Sequence, residues 1–114
     1  MLDFEIVKKD YPDLLFIIGG QNGFGSEVIE QFIQTSKERE SIIRVGYMTD
    51  VQVNWCYQNT ACFMFVSWYE GFGLPILDAL GCNGKILTSS TSSCDEVARD
   101  FALKANPADV EEIA

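Results

Sequence analysis

The residues best suited to chemistry lie in one short stretch, from Ser67 to Leu80. Glu70 is followed by a glycine-rich turn and then by Pro75 and Asp78. Glycines let the backbone turn with its N–H groups exposed, and Pro75 suits the start of a helix whose positive end faces the same space. Two carboxylates around exposed N–H donors fit a molecule with terminal hydroxyls and central phosphates, such as a nucleotide sugar. The alternative interpretation, of equal weight, is that Glu70 only solvates a loop and Asp78 only complements the helix dipole.

A second glycine-rich stretch, Gly19 to Ser26, has four glycines in eight residues and leads into a helix. Such a loop lets the backbone approach a phosphate or a ribose closely. The spacing is neither GxGxxG nor a P-loop, because Ser26-Glu27 stands where a Lys-Ser/Thr pair is needed. A flexible loop without a ligand is the alternative interpretation.

The composition excludes several kinds of site. The chain has no histidine, which removes Ser-His and Cys-His catalysis within it. Its four cysteines lie at spacings without a CxxC pair, so neither a zinc site nor a disulfide in a reducing compartment is expected. The cysteines are Cys56, Cys62, Cys82 and Cys94.

The charge balance restricts the partners of the chain. Eight basic and seventeen acidic side chains give a net charge of −9, which disfavours nucleic acid. An anionic ligand needs local help from helix N-termini or from basic residues outside this chain. No apolar run approaches a membrane span, and the N-terminus lacks the features of a signal peptide, so we expect a cytoplasmic location.

Short apolar runs alternate with amphipathic segments, which predicts an α/β fold. The uninterrupted apolar run Leu14 to Ile18 predicts a strand that is covered on both faces. The predicted strands are Leu14 to Ile18, Ile42 to Gly46, Cys62 to Ser67, Lys85 to Ser89 and Phe101 to Lys104. The predicted helices are Leu2 to Lys9, Ser26 to Lys37, Thr49 to Asn59, Pro75 to Leu80 and Ser93 to Asp100.

Two of these helices begin with a capping box, in which a hydroxyl and a Gln or Glu satisfy the first free backbone donors. The pairs are Thr49 with Gln52 and Ser93 with Glu96. The alternation predicts a mostly parallel sheet with right-handed crossovers, whose ligands bind beyond the carboxyl ends of the strands. Because the chain opens on a helix, either its topology is unusual or it begins after the first strand of a larger unit.

The stretch from Tyr69 to Cys82 closely resembles the signature of the group 1 (family four) retaining glycosyltransferases, which have the two-Rossmann-domain GT-B fold. In that family a glutamate is followed by seven residues and a second glutamate. The resemblance covers nearly the whole chain, in the same register. The further segments that carry it are residues 11–20, 45–50, 89–97 and 106–114.

The resemblance implies a Rossmann-like, donor-binding C-terminal half of the GT-B fold, with helices on both faces of the sheet and its first strand lacking. Residues 1–114 would then form one partial nucleotide-sugar-binding domain. The parent would transfer a sugar from a nucleotide-diphosphate sugar to a glycan or lipid-linked acceptor with retention and without metal or cofactor. A membrane-peripheral parent is the alternative to a cytoplasmic one. A non-catalytic nucleotide-binding or interaction module with a Rossmann-like or flavodoxin-like sheet is the alternative.

By the same resemblance, Glu70 is the catalytic position and contacts the hydroxyls of the donor sugar. Asp78 holds the ribose, the backbone after Glu70 meets the sugar and diphosphate, and the turn at Tyr47 lies against the base. The implied donor-binding residues are Gly19, Gly20, Gly46, Tyr47, Met48, Glu70, Gly71, Phe72, Gly73, Leu74 and Asp78.

The sequence departs from the family pattern in two ways. Asp78 replaces the usual second glutamate, and its shorter side chain needs a shifted helix or a bridging water to reach a ribose. The basic residues that bind the diphosphate in the family, and its acceptor domain, would precede Met1. We therefore expect the isolated chain to be inactive.

In the family's strand order, 3-2-1-4-5-6, Leu14 to Ile18 corresponds to strand 2 and Cys62 to Val66 to strand 4. Without strand 1 both would lose a neighbour, and exposed backbone groups on apolar strands are adhesive. We expect these strands either to pair directly or to be covered by a second copy through self-association.

The cysteine spacing generates the first testable prediction, that all four cysteines are free thiols. Thiol titration of the purified chain in denaturant without reductant should count four free thiols per chain. A count below four would contradict it.

Overall fold

The computed structural model describes residues 2–23 and 25–114 and shows an α/β fold, with parallel strands in two sheets flanked by helices. The predicted fold class is confirmed. Phe24, in the glycine-rich stretch from Gly19 to Ser26, lies outside the described residues. The chain forms two compact units, one up to Thr49 together with Ala114 and one from Asp50 to Ile113. The prediction of one binding domain over residues 1–114 stays a prediction.

The first unit is built on two parallel strands. Its elements are α1 (Leu2–Val7), β1 (Phe16–Gly19), α2 (Ser26–Thr35), a 3-10 turn (Arg39–Ser41) and β2 (Ile42–Gly46). Strand β1 pairs with β2 from Phe16 opposite Ile42 to Gly19 opposite Gly46, with a register shift after Ile18. The strand positions agree with the sequence predictions to within two residues.

Both helices of this unit contribute to one core. Phe4 of α1 stacks on Phe16 with ring centroids 5.3 Å apart, and Ile33 of α2 is buried with Ile42 in the same cluster. The prediction that β1 is covered on both faces is wrong, because burial alternates along the strand and Ile17 is half exposed. Alternate side chains of a strand point to opposite faces, and the residues buried in this cluster lie on one of them.

The second unit is a three-stranded parallel sheet in the order β3-β4-β5. Its elements are α3 (Asp50–Asn59), β3 (Phe63–Phe65), α4 (Leu74–Gly81), β4 (Ile86–Ser89), α5 (Ser92–Ala98), β5 (Leu103–Ala105) and α6 (Val110–Ile113). Strands β1 and β2 correspond to strands 2 and 3 of the expected order, and β3, β4 and β5 correspond to strands 4, 5 and 6. The observed neighbours agree with that order. Because β1 and β3 belong to different sheets, the expected direct pairing between them is wrong. Association with a second copy stays a prediction.

The core of the second unit joins α3, α4 and α5 to the sheet. It consists of Tyr57, Ile76, Ala79, Ile86, Cys94 and Ala98. Pro75 lies in the first turn of α4, as predicted, and Ile76 is fully buried one residue later. Because the apolar face of α4 is buried on this core, its position relative to β3 and β4 is fixed. In the described residues, no helix is long and apolar enough to cross a membrane.

The turn between α4 and β4 is packed tightly around Gly84. Its N–H donates to the Ala79 carbonyl at 2.8 Å, and a Cβ on Gly84 would lie 2.9 Å from the Tyr57 carbonyl oxygen and 3.0 Å from that of Ala79. Both neighbours are backbone atoms and cannot rotate away. Only glycine therefore fits where α3, α4 and this turn meet.

We predict that Gly84→Ala destabilises the chain by about 1–3 kcal/mol, because an overpacked site must move backbone atoms. The matched control is Gly81→Ala, since a Cβ there meets no heavy atom within 4 Å. That helical substitution should be neutral or stabilise by up to about 1 kcal/mol. Urea unfolding of both variants checks the prediction, and equal stabilities would contradict it.

Candidate functional site

Glu70 lies in the loop that follows the carboxyl end of β3. Its side chain is half-buried, and the Ser67 hydroxyl donates to Glu70 Oε1 at 2.8 Å. The Ser93 hydroxyl donates to the main-chain carbonyl of the same residue at 2.7 Å. The sequence thus puts Glu70 at the edge of the sheet, where one hydroxyl binds its carboxylate and a second binds its main-chain carbonyl.

The start of this loop is held by the neighbouring strand. The buried Ser89 at the end of β4 donates its hydroxyl to the Ser67 carbonyl at 2.5 Å, and the buried Thr88 donates to the Phe65 carbonyl at 2.8 Å. Since a buried hydroxyl needs a partner and a loop carbonyl needs a donor, each bond satisfies both groups. The loop after β3 is therefore fastened to β4.

The predicted capping role of Ser93 is wrong. Helix α5 begins at Ser92, one residue earlier, and the Ser93 hydroxyl is bonded to Glu70. Thr91 precedes the helix, and its side chain makes no capping hydrogen bond within the described residues. Ser92 has a left-handed φ of 58° and a buried hydroxyl without a partner, both of which cost free energy. A tertiary contact has replaced the local one.

The residues after Glu70 lead directly into α4. Gly73 has a left-handed φ of 79°, a conformation that suits glycine, and precedes the first helical residue, Leu74. Gly71, Phe72 and Leu74 are exposed. Pro75 has no N–H group, and the Ile76 N–H donates to the Gly73 carbonyl at 3.0 Å. The backbone donors that lie close in the chain to Glu70 are therefore the N–H groups from Gly71 to Leu74.

Asp78 is exposed on α4 and acts on a side chain of α3. Burial raises the pKa of Tyr57 above its ordinary value of 10, and the negative charge of Asp78 raises that pKa further, followed by Cys82 and Cys56. Asp78 and Tyr57 therefore interact electrostatically. Neither Asp78 nor Glu70 is buried in the core, but each has its own partner, so a pocket shared by the two carboxylates stays a prediction.

The first unit brings together the other predicted donor-binding residues. Gly19 and Gly46 are partners at the carboxyl ends of β1 and β2, and the Gly20 N–H donates to the Gly46 carbonyl at 2.8 Å. Met48 packs so closely that a Cβ on Gly19 would lie 2.8 Å from its sulfur. Tyr47 is exposed. The five predicted residues thus form one glycine-lined strand edge, and their contact with a donor stays a prediction.

Sequence reasoning missed Ser67 and Ser89 and misassigned Ser93. Two signals were present: Ser67 stands three residues before Glu70, and a Ser/Thr-rich segment from Ser89 to Ser93 follows a predicted strand. Within residues 2–23 and 25–114, no group of three or more Cys, Asp or Glu side chains is placed to hold a metal ion.

Comparison with known proteins gives a consistent result. Residues 3–114 match the family described as "Glycosyl transferases group 1". The chain is 35% identical over 104 residues to O-antigen chain mannosyltransferase B of Escherichia coli, which covers 91% of this chain and 26% of that protein. It is 37% identical over 75 residues to the serotype-specific mannosyltransferase WbdA of Escherichia coli, and the aligned region covers 66% of this chain and 9% of that protein. The chain thus spans about a quarter or less of the length of these relatives.

The environment of Tyr57 predicts a pH dependence of stability. Because the pKa of Tyr57 is raised in the folded chain, Tyr57 of the unfolded chain ionises at lower pH. The stability that neutral Tyr57 contributes is therefore fully present below about pH 10 and is lost as pH rises through the pKa of the folded chain. Urea unfolding between pH 8 and pH 11 should show a loss of stability in the wild type that is smaller in Tyr57→Phe. Asp78→Asn should make the loss shallower. Equal slopes in wild type and Tyr57→Phe would contradict this.

Proposed function

The chain belongs to the group 1 glycosyltransferases, and on that premise we propose that it is the donor-binding part of an enzyme that transfers a sugar from a nucleotide-diphosphate sugar to a glycan or lipid-linked acceptor with retention. One observation carries the proposal. Glu70 is anchored at the carboxyl end of β3, directly before the N-terminus of α4. A hydroxyl acceptor and a cluster of N–H donors are thus brought together at the edge where parallel sheets bind ligands.

In the proposed mechanism Glu70 accepts hydrogen bonds from the hydroxyls of the donor sugar. The backbone N–H groups from Gly71 to Leu74, which lead into the positive end of α4, bind the diphosphate and stabilise the negative charge that develops as it leaves. Catalysis then rests on positioning the donor and stabilising the leaving group, and the proposal includes no metal or cofactor.

Asp78 is the proposed partner of the ribose hydroxyls. It stands eight residues after Glu70, where the family has a glutamate, and is exposed on α4. A carboxylate accepts two hydrogen bonds from neighbouring hydroxyls, which a ribose supplies. Because aspartate is one methylene shorter, the proposed contact includes a bridging water or a closer approach of the ribose to α4.

We propose mannose as the transferred sugar and a growing polysaccharide as the acceptor. Both relatives are named as mannosyltransferases, and one is named for O-antigen chains. Glu70 is suited to bind a hydroxyl-rich hexose, but its contacts do not select among hexoses. The choice of mannose therefore rests on the relatives.

The second unit offers little positive charge to a diphosphate. Its basic side chains are Lys85, Arg99 and Lys104. Lys104 is paired with Asp95 at 2.5 Å, and Lys85 stands before β4, at the end of the strand opposite to the site. Arg99 follows the last residue of α5, at the end of that helix away from Ser93. We therefore propose that neutralisation of the diphosphate and binding of the acceptor are supplied by residues outside the second unit.

We predict that the chain binds a nucleoside-diphosphate mannose saturably. Isothermal titration with mannose linked to GDP, UDP or ADP would identify the base. Asp78→Ala should weaken binding about 10-fold or more, because a hydrogen bond to a charged group contributes about 1.5–3 kcal/mol.

The matched control is Asp100→Asn, an exposed acidic residue in the turn after α5. It should leave the dissociation constant unchanged, and circular dichroism should show that both variants are folded. No saturable binding by folded wild type would overturn the proposal. Binding of nucleoside diphosphates regardless of the sugar, with no effect of Glu70→Gln, would favour a non-catalytic nucleotide-binding module.

A further inference from the structure

The loop from Ser67 to Glu70 is held by hydroxyls at both ends. At its start, Ser89 donates to the Ser67 carbonyl at 2.5 Å, and at its end Ser93 donates to the Glu70 carbonyl at 2.7 Å. These donors come from the end of β4 and the first turn of α5. The segment from Ser67 to Glu70 is therefore held by hydrogen bonds to residues more than twenty positions further along the chain.

Apolar packing contributes little to the position of this loop. Its two central side chains are exposed, Trp68 to 71% and Tyr69 to 82%. With both rings in solvent, the loop gains little from burial, and its conformation depends on the polar contacts at its ends.

The carboxylate of Glu70 is oriented separately from its backbone. The Ser67 hydroxyl binds Oε1 at 2.8 Å and leaves Oε2 free of this contact. Restricting one oxygen fixes the side-chain torsions and removes conformational entropy before a ligand arrives. The carboxylate is thereby preorganised to accept hydroxyl groups.

The placement of Ser93 has a conformational cost, which argues that its contact with Glu70 is specific. The preceding residue, Ser92, has a left-handed φ of 58° and a buried, unpartnered hydroxyl. Strained residues of this kind persist where the surrounding structure over-determines them, and they cluster at functional sites. The contact from Ser93 is also made at the expense of the capping box that its sequence predicts.

We propose that Ser93 and Ser67 are positioning residues for Glu70: Ser93 fixes its main chain and Ser67 its carboxylate. This inference rests on the proposed function, in which Glu70 contacts the donor sugar. Neither serine touches the donor, and both act through Glu70. Loss of either hydroxyl weakens binding of the sugar part of the donor, while the nucleotide part keeps its contacts.

The binding test compares nucleoside-diphosphate mannose with the same nucleoside diphosphate alone. Ser93→Ala and Ser67→Ala should each weaken binding of the sugar nucleotide about 10-fold and change binding of the diphosphate less than about 2-fold. Ser93→Thr retains the hydroxyl and should restore affinity. The matched control is Ser90→Ala, an exposed serine in the same segment, which should change neither constant.

A spectroscopic test reports on the loop itself. In a Trp55→Phe background Trp68 is the remaining tryptophan, so its time-resolved fluorescence anisotropy measures motion of the loop. Ser93→Ala should add a fast depolarising motion, and Ser93→Thr and Ser90→Ala should not. Unchanged anisotropy together with unchanged sugar-nucleotide affinity would overturn the inference.

Glu70→Gln separates this inference from the proposed function. If Glu70→Gln leaves the affinity for the sugar nucleotide unchanged, the role of Glu70 in the proposed function fails. If Glu70→Gln weakens binding while both serine variants bind like wild type, only the positioning role fails. If Ser93→Ala does not fold, Ser67→Ala decides the outcome, because it removes a hydroxyl from the loop without altering α5.

Discussion

The hydrogen bonds from serine hydroxyls to the loop after β3 are the constraint on which the candidate site depends. A loop that leaves a parallel sheet loses the ladder partners of its carbonyl groups, and each buried carbonyl then needs another donor. Ser89 and Ser93 supply these donors at the two ends of the loop. Because Trp68 and Tyr69 are exposed, packing cannot replace these bonds. The position of Glu70 follows from them.

A second constraint fixes the helix that follows. Gly73 permits the left-handed turn into α4, Ile76 anchors the first turn of α4 in the core, and Gly84 permits the close approach of α3 at its other end. The helix cannot slide without breaking one of these contacts, since cores are close-packed. Asp78 therefore has a defined position on the surface, where its charge raises the pKa of Tyr57.

The acidity of the chain is consistent with separate groups for binding the phosphates and the hydroxyls of a donor. A net charge of −9 repels a diphosphate, so the proposed site uses the backbone N–H groups from Gly71 to Leu74 for the phosphates and Glu70 for hydroxyls. The group 1 family match covers the chain, while the chain covers about a quarter of a mannosyltransferase relative. Complementary charge is then proposed to come from residues outside the second unit.

The sequence by itself determined the α/β class, strands β1 to β5 and helices α1 to α5 to within two residues, because hydrophobic periodicity and turn residues are local signals; the short helix α6 was not predicted. It also determined the position of Glu70 after a strand and before a Pro-started helix. The tertiary structure decided which groups satisfy that loop. The Ser93 hydroxyl has two possible partners, a nearby N–H and a distant carbonyl, and only the packing of α5 against β4 selects the carbonyl. It also decided that Ile17 is half exposed, because an apolar run does not reveal how many faces are covered.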